Sequence, residues 1–299
     1  MEKISTKNRD NLVNLLKGYY NSDYDNNTLT NVVYNLIQDS IKILKLDDKM
    51  KIYEKTMNPY INTNLPIIIR LDGKNFSQFT KKFNKPFDER LTKLMNDTTK
   101  YMLDYVDSAK IAYHQSDEIT LFIPPTSNDI KWGGRLNKMV FDYATGCSNY
   151  FNYYLKESGL PNKEGFNFRQ FDCRIFNVPD IGEAFEHFTW RQQDARRNSI
   201  QMMAQSMFSQ KKLEKKSDKT MLEMCSVLGV NWDDYPESFK LGSYYVKIKE
   251  ARKFTTDEIQ KLPLLHKARK NPDLMVERNT IKNVGVSEFW NIYKDLFYN

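Results

Sequence analysis

Residues 66–79 read PIIIRLDGKNFSQF, three isoleucines and an Arg-Leu pair that stop at Asp72-Gly73. A strand written as an almost unbroken apolar run is covered on both faces. An aspartate at its tip is therefore held at the edge of a core, facing whatever the next loop builds. An Asp-Gly after a strand is most often only a turn, so the surroundings decide what Asp72 is for.

Working outward, DERLTKLMNDTTKYMLDYV (88–106) spaces Leu91, Leu94, Met95, Thr98, Met102 and Tyr105 along one helical face, with Asp88 and Glu89 in the first turn. AKIAYHQSDEITLFI (109–123) offers two apolar runs, 110–114 and 119–123, joined by polar QSDE: a hairpin by composition. Strand, helix and hairpin in that order form the first half of a ferredoxin-like split βαβ arrangement. A second helical tract (135–155) and the strand FDCRIFNV (171–178) complete the sheet. The expected class is α+β, with helices on one face of the sheet. Residues 181–216 read as one or two helices, FKLGSYYVKIK (239–249) as an extended segment with a basic face, and HKARKNPDLMVERN (266–279) as loop. At the other end, Val33, Leu36, Ile37, Ile41, Ile43 and Leu44 give a mostly helical spacing after an Asn-rich break. Three regions result: a helical appendage at 1–58, a catalytic domain at 59–183 and a helical C-terminal region at 184–299.

The 299 residues carry 45 Lys+Arg against 38 Asp+Glu, a net +7, and the pI near 9.0 favours polyanion partners, nucleic acid first. Three well-separated cysteines, Cys147, Cys173 and Cys225, make neither a disulfide framework nor a C-x-x-C motif, which suits a reducing compartment. The polar opening MEKISTKNRD has no signal-like apolar core, and no run approaches a membrane span. A soluble, cytoplasmic protein with no membrane partner is expected.

The chemistry lies in a combination. Asp72 ends one strand, and the Asp117-Glu118 pair sits at a hairpin that the split βαβ topology lays alongside it. Two carboxylates converging without histidine or cysteine suit Mg²⁺, and two such ions clamp the attacking and leaving oxygens of a phosphoryl or nucleotidyl transfer. Gly73 lets a triphosphate approach the amides of GKNFS, with Lys74 and Lys85 as cations nearby. Arg135 and Lys138 are further phosphate candidates, although a basic helical turn is more often a solvated face.

RLDGKNFSQF, the Lys85-Pro86 pair, DERLTKLMN, AYHQSDEITLFI, FDCR and FTWRQQDARRNS, in this order, resemble the histidyl-tRNA guanylyltransferase family and its guanylyltransferase-like relatives, the 3′-to-5′ RNA polymerases. The resemblance implies a polymerase-palm-like catalytic domain that uses ATP, GTP or other nucleoside triphosphates, contacts tRNA partly through its C-terminal region, and assembles as a homo-tetramer. It implies two Mg²⁺ ions on Asp72, Asp117 and the Gly73 carbonyl. It implies a nucleotide cradle from Asp72, Gly73, Lys74, Asn75, Phe76 and Ser77 with Ser116, phosphate contacts from Lys85, Arg135 and Lys138, and a supporting catalytic acid in Glu118. Enzymes that add guanylate to histidine tRNA carry a HINNLYN-like segment where this chain reads ARRNSIQ, with Arg196 at the histidine position and Asn198 kept. The pattern is closer to the relatives that repair 5′-truncated tRNA against a template strand. The rivals are a non-templated guanylyltransferase and, more remotely, a palm-type nucleotide cyclase.

Overall fold

The computed structural model describes residues 45–55, 59–125, 130–161, 168–271 and 273–297. The chain divides into two compact units, residues 1–59 and 60–299. The described part of the first is α1, Leu46–Lys55, with Asp47 and Asp48 in its first turn. The helical spacing read from Val33 to Leu44 lies outside the described residues.

The second unit opens with β1, Ile67–Gly73, followed by the short α2, Phe76–Phe79, and the long α3, Glu89–Tyr105. Asp88 caps α3 by accepting from the Arg90 amide, which satisfies one of the donors that a helix start leaves open. The hairpin strands are β2, Ile111–Gln115, and β3, Glu118–Ile123; then come α4, Leu136–Leu155, and β4, Phe171–Asn177. Helix α5, Ile181–Met207, is a single element. Beyond it lie α6, Gln210–Leu213, α7, Asp218–Val227, β5, Ser243–Lys253, β6, Met275–Val284, and α8, Val286–Phe297.

The six strands form one antiparallel sheet in the order β4-β1-β3-β2-β5-β6. Strand side chains alternate between faces. Ile67, Ile69 and Leu71 pack beneath Leu94 and Met102 of α3 and Met139 and Phe151 of α4. Ile68, Phe122 and Tyr113 face the other way, onto Phe185 and Phe188 of α5 and Phe289 of α8. Helices thus cover the expected face and also its reverse. The reason is in β1, where Ile67, Ile68, Ile69 and Leu71 are all fully buried; each such side chain contributes about 1.5–3 kcal/mol relative to exposure.

One sequence expectation changes. Residues 266–279 are not all loop: Lys267–Lys270 form a helical turn and Met275 opens β6, which pairs with β5 along its whole length, from Lys253↔Met275 to Tyr244↔Val284. Beyond residue 184, β5 joins the sheet through Ile111↔Val246 and α5 covers it. The polar run Glu277-Arg278-Asn279-Thr280 interrupts any apolar alternation and hid β6, whose residues Glu277–Asn279 are exposed.

Candidate active site

The hairpin between β2 and β3 closes with two residues, Ser116 and Asp117, because Gln115 and Glu118 are already paired. Ser116 takes a left-handed φ of 50°, and the Gly73 amide donates to the Asp117 carbonyl at 3.1 Å. That bond ties the end of β1 to the turn. In a strand a residue's N–H and C=O point to the same side, so the Gly73 carbonyl also faces the turn.

Across β1 and β3, Asp72 stands directly opposite Glu118. Like charges in register repel, and two arginines resolve the conflict. Arg70, two residues before Asp72 and on the same face, donates to Glu118 Oε2 at 2.5 Å and lies 3.6 Å from Asp72 Oδ2. Arg191 of α5 donates to both Glu118 oxygens, at 2.6 and 2.8 Å, and to Asp194 at 2.9 Å. Glu118 is therefore buried and spent on arginines, an anchor for the site rather than an open ligand.

Asp72 and Asp117 remain. Both line a cleft with Arg70, Arg191, Asn198 and Gln205. Burial, reinforced by the Asp72 charge, pushes the Asp117 carboxyl up to about 6. Every donor at this edge is oxygen: two carboxylates and the Gly73 carbonyl. Among the described residues no cluster of three or more His, Cys, Asp or Glu is arranged to hold a metal. Mg²⁺ asks for less, taking one or two carboxylates and filling its octahedron with water and phosphate oxygens, so the residues fit that ion.

An adjoining cleft of about 560 Å³ is lined by Gly73, Asn75, Phe76, Ser77, Lys85, Ser116 and Asp117. The Gly73 amide and the Lys74 amide, which donates to the Gln170 carbonyl at 2.8 Å, are both engaged. Asn75, Phe76 and Ser77 line this cleft and open α2, where a helix start leaves its first amides without a partner inside the helix. Gly73 is glycine for a reason the sequence conceals. A Cβ there would sit 2.4 Å from the Phe76 ring, and that ring is locked among Phe79, Phe151 and Phe171.

Most expected residues thus meet at one end of the sheet, but Lys74, Arg135 and Lys138 do not line the clefts. Arg135 and Lys138 sit at the opposite end. Tyr60 bridges Arg135, the Ile61 amide donates to Gly134, and Asn177 at the far end of β4 bonds Asn62. Within one chain the two cations therefore do not lie beside these clefts: α4 runs so that its C-terminal half, not its start, nears the site, with the Ser148 hydroxyl accepting from the Phe171 amide. Conversely, Arg70, Arg191 and Asp194 were not expected. Their signals are a lone cation inside a buried strand and an i, i+3 Arg–Asp pair on a helix.

Fold and site together define a palm-like α+β domain with a two-carboxylate edge. Residues 47–179 match the family model for Thg1, tRNAHis guanylyltransferase. The chain is 29% identical over 195 residues to the tRNA(His) guanylyltransferase of Saccharomyces cerevisiae, spanning 59% of this chain and 80% of the relative. Among solved structures, a bacterial tRNA(His) guanylyltransferase-like protein in complex with ATP aligns with a TM-score of 0.61 and 32% identity, covering 68% of this chain and 88% of that one. A second, in complex with GTP, aligns at 0.63 and 25% identity, covering 85% and 99%. The chain belongs to the tRNA(His) guanylyltransferase family, a family of nucleotidyltransferases. Among the described residues no helix is long and apolar enough to cross a membrane.

Proposed function

We propose that this protein adds nucleotides to the 5′ end of tRNA in the 3′-to-5′ direction, copying the opposite strand. The observation that carries nucleotidyl transfer is the Asp72–Asp117 edge beside a cleft lined by the start of α2, Asn75, Phe76 and Ser77, and by Lys85. A 5′-monophosphate would first be activated by ATP with release of pyrophosphate; the 3′-hydroxyl of the incoming nucleotide would then displace AMP. Asp72, Asp117 and the Gly73 carbonyl would hold Mg²⁺, which when bound neutralises phosphate charge and lowers the pKa of the attacking hydroxyl. Lys85 and the Asn75–Ser77 amides bind and orient the triphosphate. Arg191 and Arg70 hold Glu118 so that Asp72 keeps its position.

Template dependence is supported by Arg196. Its guanidinium lies over the Trp232 ring at 5.3 Å and 4.0 Å from Asp218, while Asn198 lines the cleft. No imidazole is offered at that position to favour guanine, so choice of nucleotide passes to base pairing. The second reading, guanylate addition without a template, is favoured by the names of the relatives. The family also suggests tRNA as partner, two Mg²⁺ ions and a homo-tetramer.

Four tRNAs lacking the first 5′ nucleotide and differing only in the facing base test the choice. Incubated with protein, ATP, all nucleotides and Mg²⁺, each gains the complement of its facing base. Guanylate in all four overturns the templated reading, and turnover of nucleotide without RNA favours a cyclase.

A further inference from the structure

Beyond the acid cleft, a further groove is lined by Gln201, Gln205, Lys211, Lys215 and Lys216, with Glu214 as its one carboxylate. Gln201 and Gln205 also line the cleft of Asp72 and Asp117, and Gln205 reaches the Lys85 cleft. The three hollows therefore share walls and form one path along the end of α5. We propose that the lysine groove is the dock for the phosphodiester backbone of the RNA strand whose 5′ end reacts, leading that end to Asp72. This rests on the reading that the substrate is RNA.

The groove is built, not a loose basic tail. Leu213 lies buried among Met203, Ala204, Met221 and Cys225 and pins the segment to α5 and α7. Lys215 takes a left-handed φ of 59° and the Lys216 amide donates to the Leu213 carbonyl at 3.1 Å, so the chain turns sharply around that anchor. Lys212 leaves the groove for the Phe208 ring, 4.7 Å away. Lys211, Lys215 and Lys216 are exposed, and no carboxylate among the described residues lies within ion-pair distance of them. The basic ribbon of β5 and β6 is different: Lys253 meets Asp273, Lys282 meets Glu250 and Arg252 meets Glu258. Cations without partners, fixed next to the reacting edge, suit a row of phosphates. A nucleotide already has Lys85 and the α2 amides.

The test compares the full-length triple variant K211Q/K215Q/K216Q with K249Q/K261Q/K270Q, which removes equal charge from exposed positions remote from the groove. Both are titrated with a fluorescent, 5′-monophosphorylated RNA hairpin between about 50 and 200 mM salt. Each lost phosphate contact lowers the slope of log affinity against log salt by about 0.9 for duplex and about 0.7 for single strands. The groove variant is expected to lose about 2–3 from that slope and to bind at least tenfold more weakly at low salt, while the control keeps the wild-type slope. GTP affinity, measured by equilibrium dialysis, stays unchanged in both. A wild-type slope in the groove variant, or an equal loss in the control, overturns the dock. Binding is read without turnover, so wild-type protein that grips the hairpin through these lysines but adds no nucleotide would sink the functional reading and leave the dock standing.

Discussion

Arg191 holds Glu118 by two hydrogen bonds, 2.6 and 2.8 Å long, bridging the helix on one face of the sheet to the hairpin that carries Asp117. Both side chains are about 5% exposed. Removing one partner of a buried pair costs about 3–5 kcal/mol when the remaining charge is left alone; Arg70 still holds Glu118 when Arg191 is gone, so the loss falls toward the lower end of that range or below it. Arg191→Met should therefore lower the urea midpoint markedly and cut activity. In the double variant Arg191→Met/Glu118→Gln much of the lost stability should return, without activity. A single variant within about 1 kcal/mol of wild type would show the pair to be idle.

Asp117 makes the metal-free protein sensitive to pH. Its folded carboxyl, raised from 3.8 to about 6, binds its proton more tightly than the unfolded chain does. Stability from this group is therefore full below about 3.8, declines as pH rises, and is gone above about 6. Chelator-treated protein should lose on the order of 2 kcal/mol between pH 4 and pH 7 from this residue. Asp117→Asn should flatten that part of the profile and raise the melting temperature at pH 7 while abolishing nucleotide addition. An unchanged profile would mean that another group titrates there.

Gly73→Ala should perturb both packing and phosphate binding, because the new methyl meets the Phe76 ring at 2.4 Å. Overpacking of this kind costs about 1–3 kcal/mol. Phe76→Leu in the same chain makes room and should recover part of the stability, as thermal denaturation would reveal. If the double variant is no better than the single, the ring is not what excludes a side chain.

Lys85 and Lys138 should separate cleanly. Lys85→Gln is expected to weaken binding of nucleoside triphosphate about tenfold, equivalent to about 1.4 kcal/mol, because Lys85 lines the Gly73 cleft. Lys138 lies 5.5 Å over the Trp132 ring, at the far end of the sheet, so Lys138→Gln should leave nucleotide affinity within twofold. A large effect there would require a site completed by another copy of the chain.

Asp72→Ala should reduce nucleotide addition on the order of a thousandfold, about 4 kcal/mol in the barrier, with little change in unfolding. The Asp72 side chain is one-third exposed and supports no core contact. Activity near wild type at saturating Mg²⁺ would remove Asp72 from the metal edge.

Local patterning determined a good deal by itself. PIIIRLDG had to be a strand buried on both faces, the stripe Leu91–Leu94–Met95–Met102 had to cover a sheet, and an acid at each of two strand ends had to lie at its margin. These are short-range consequences of side-chain period and burial. Only tertiary structure decided the rest. The pairing of Asp72 with Glu118 follows from strand register, and the arrival of Arg191 from a helix 73 residues further along the chain follows from packing on the reverse face. Likewise Arg135 and Lys138 carry the right charge for phosphate, but the direction in which α4 crosses the sheet puts them at the end of it away from Asp72. Charge and spacing are local properties of a chain; which charges meet is set by long-range packing, and that is where Glu118 became an anchor and Asp117 was left open.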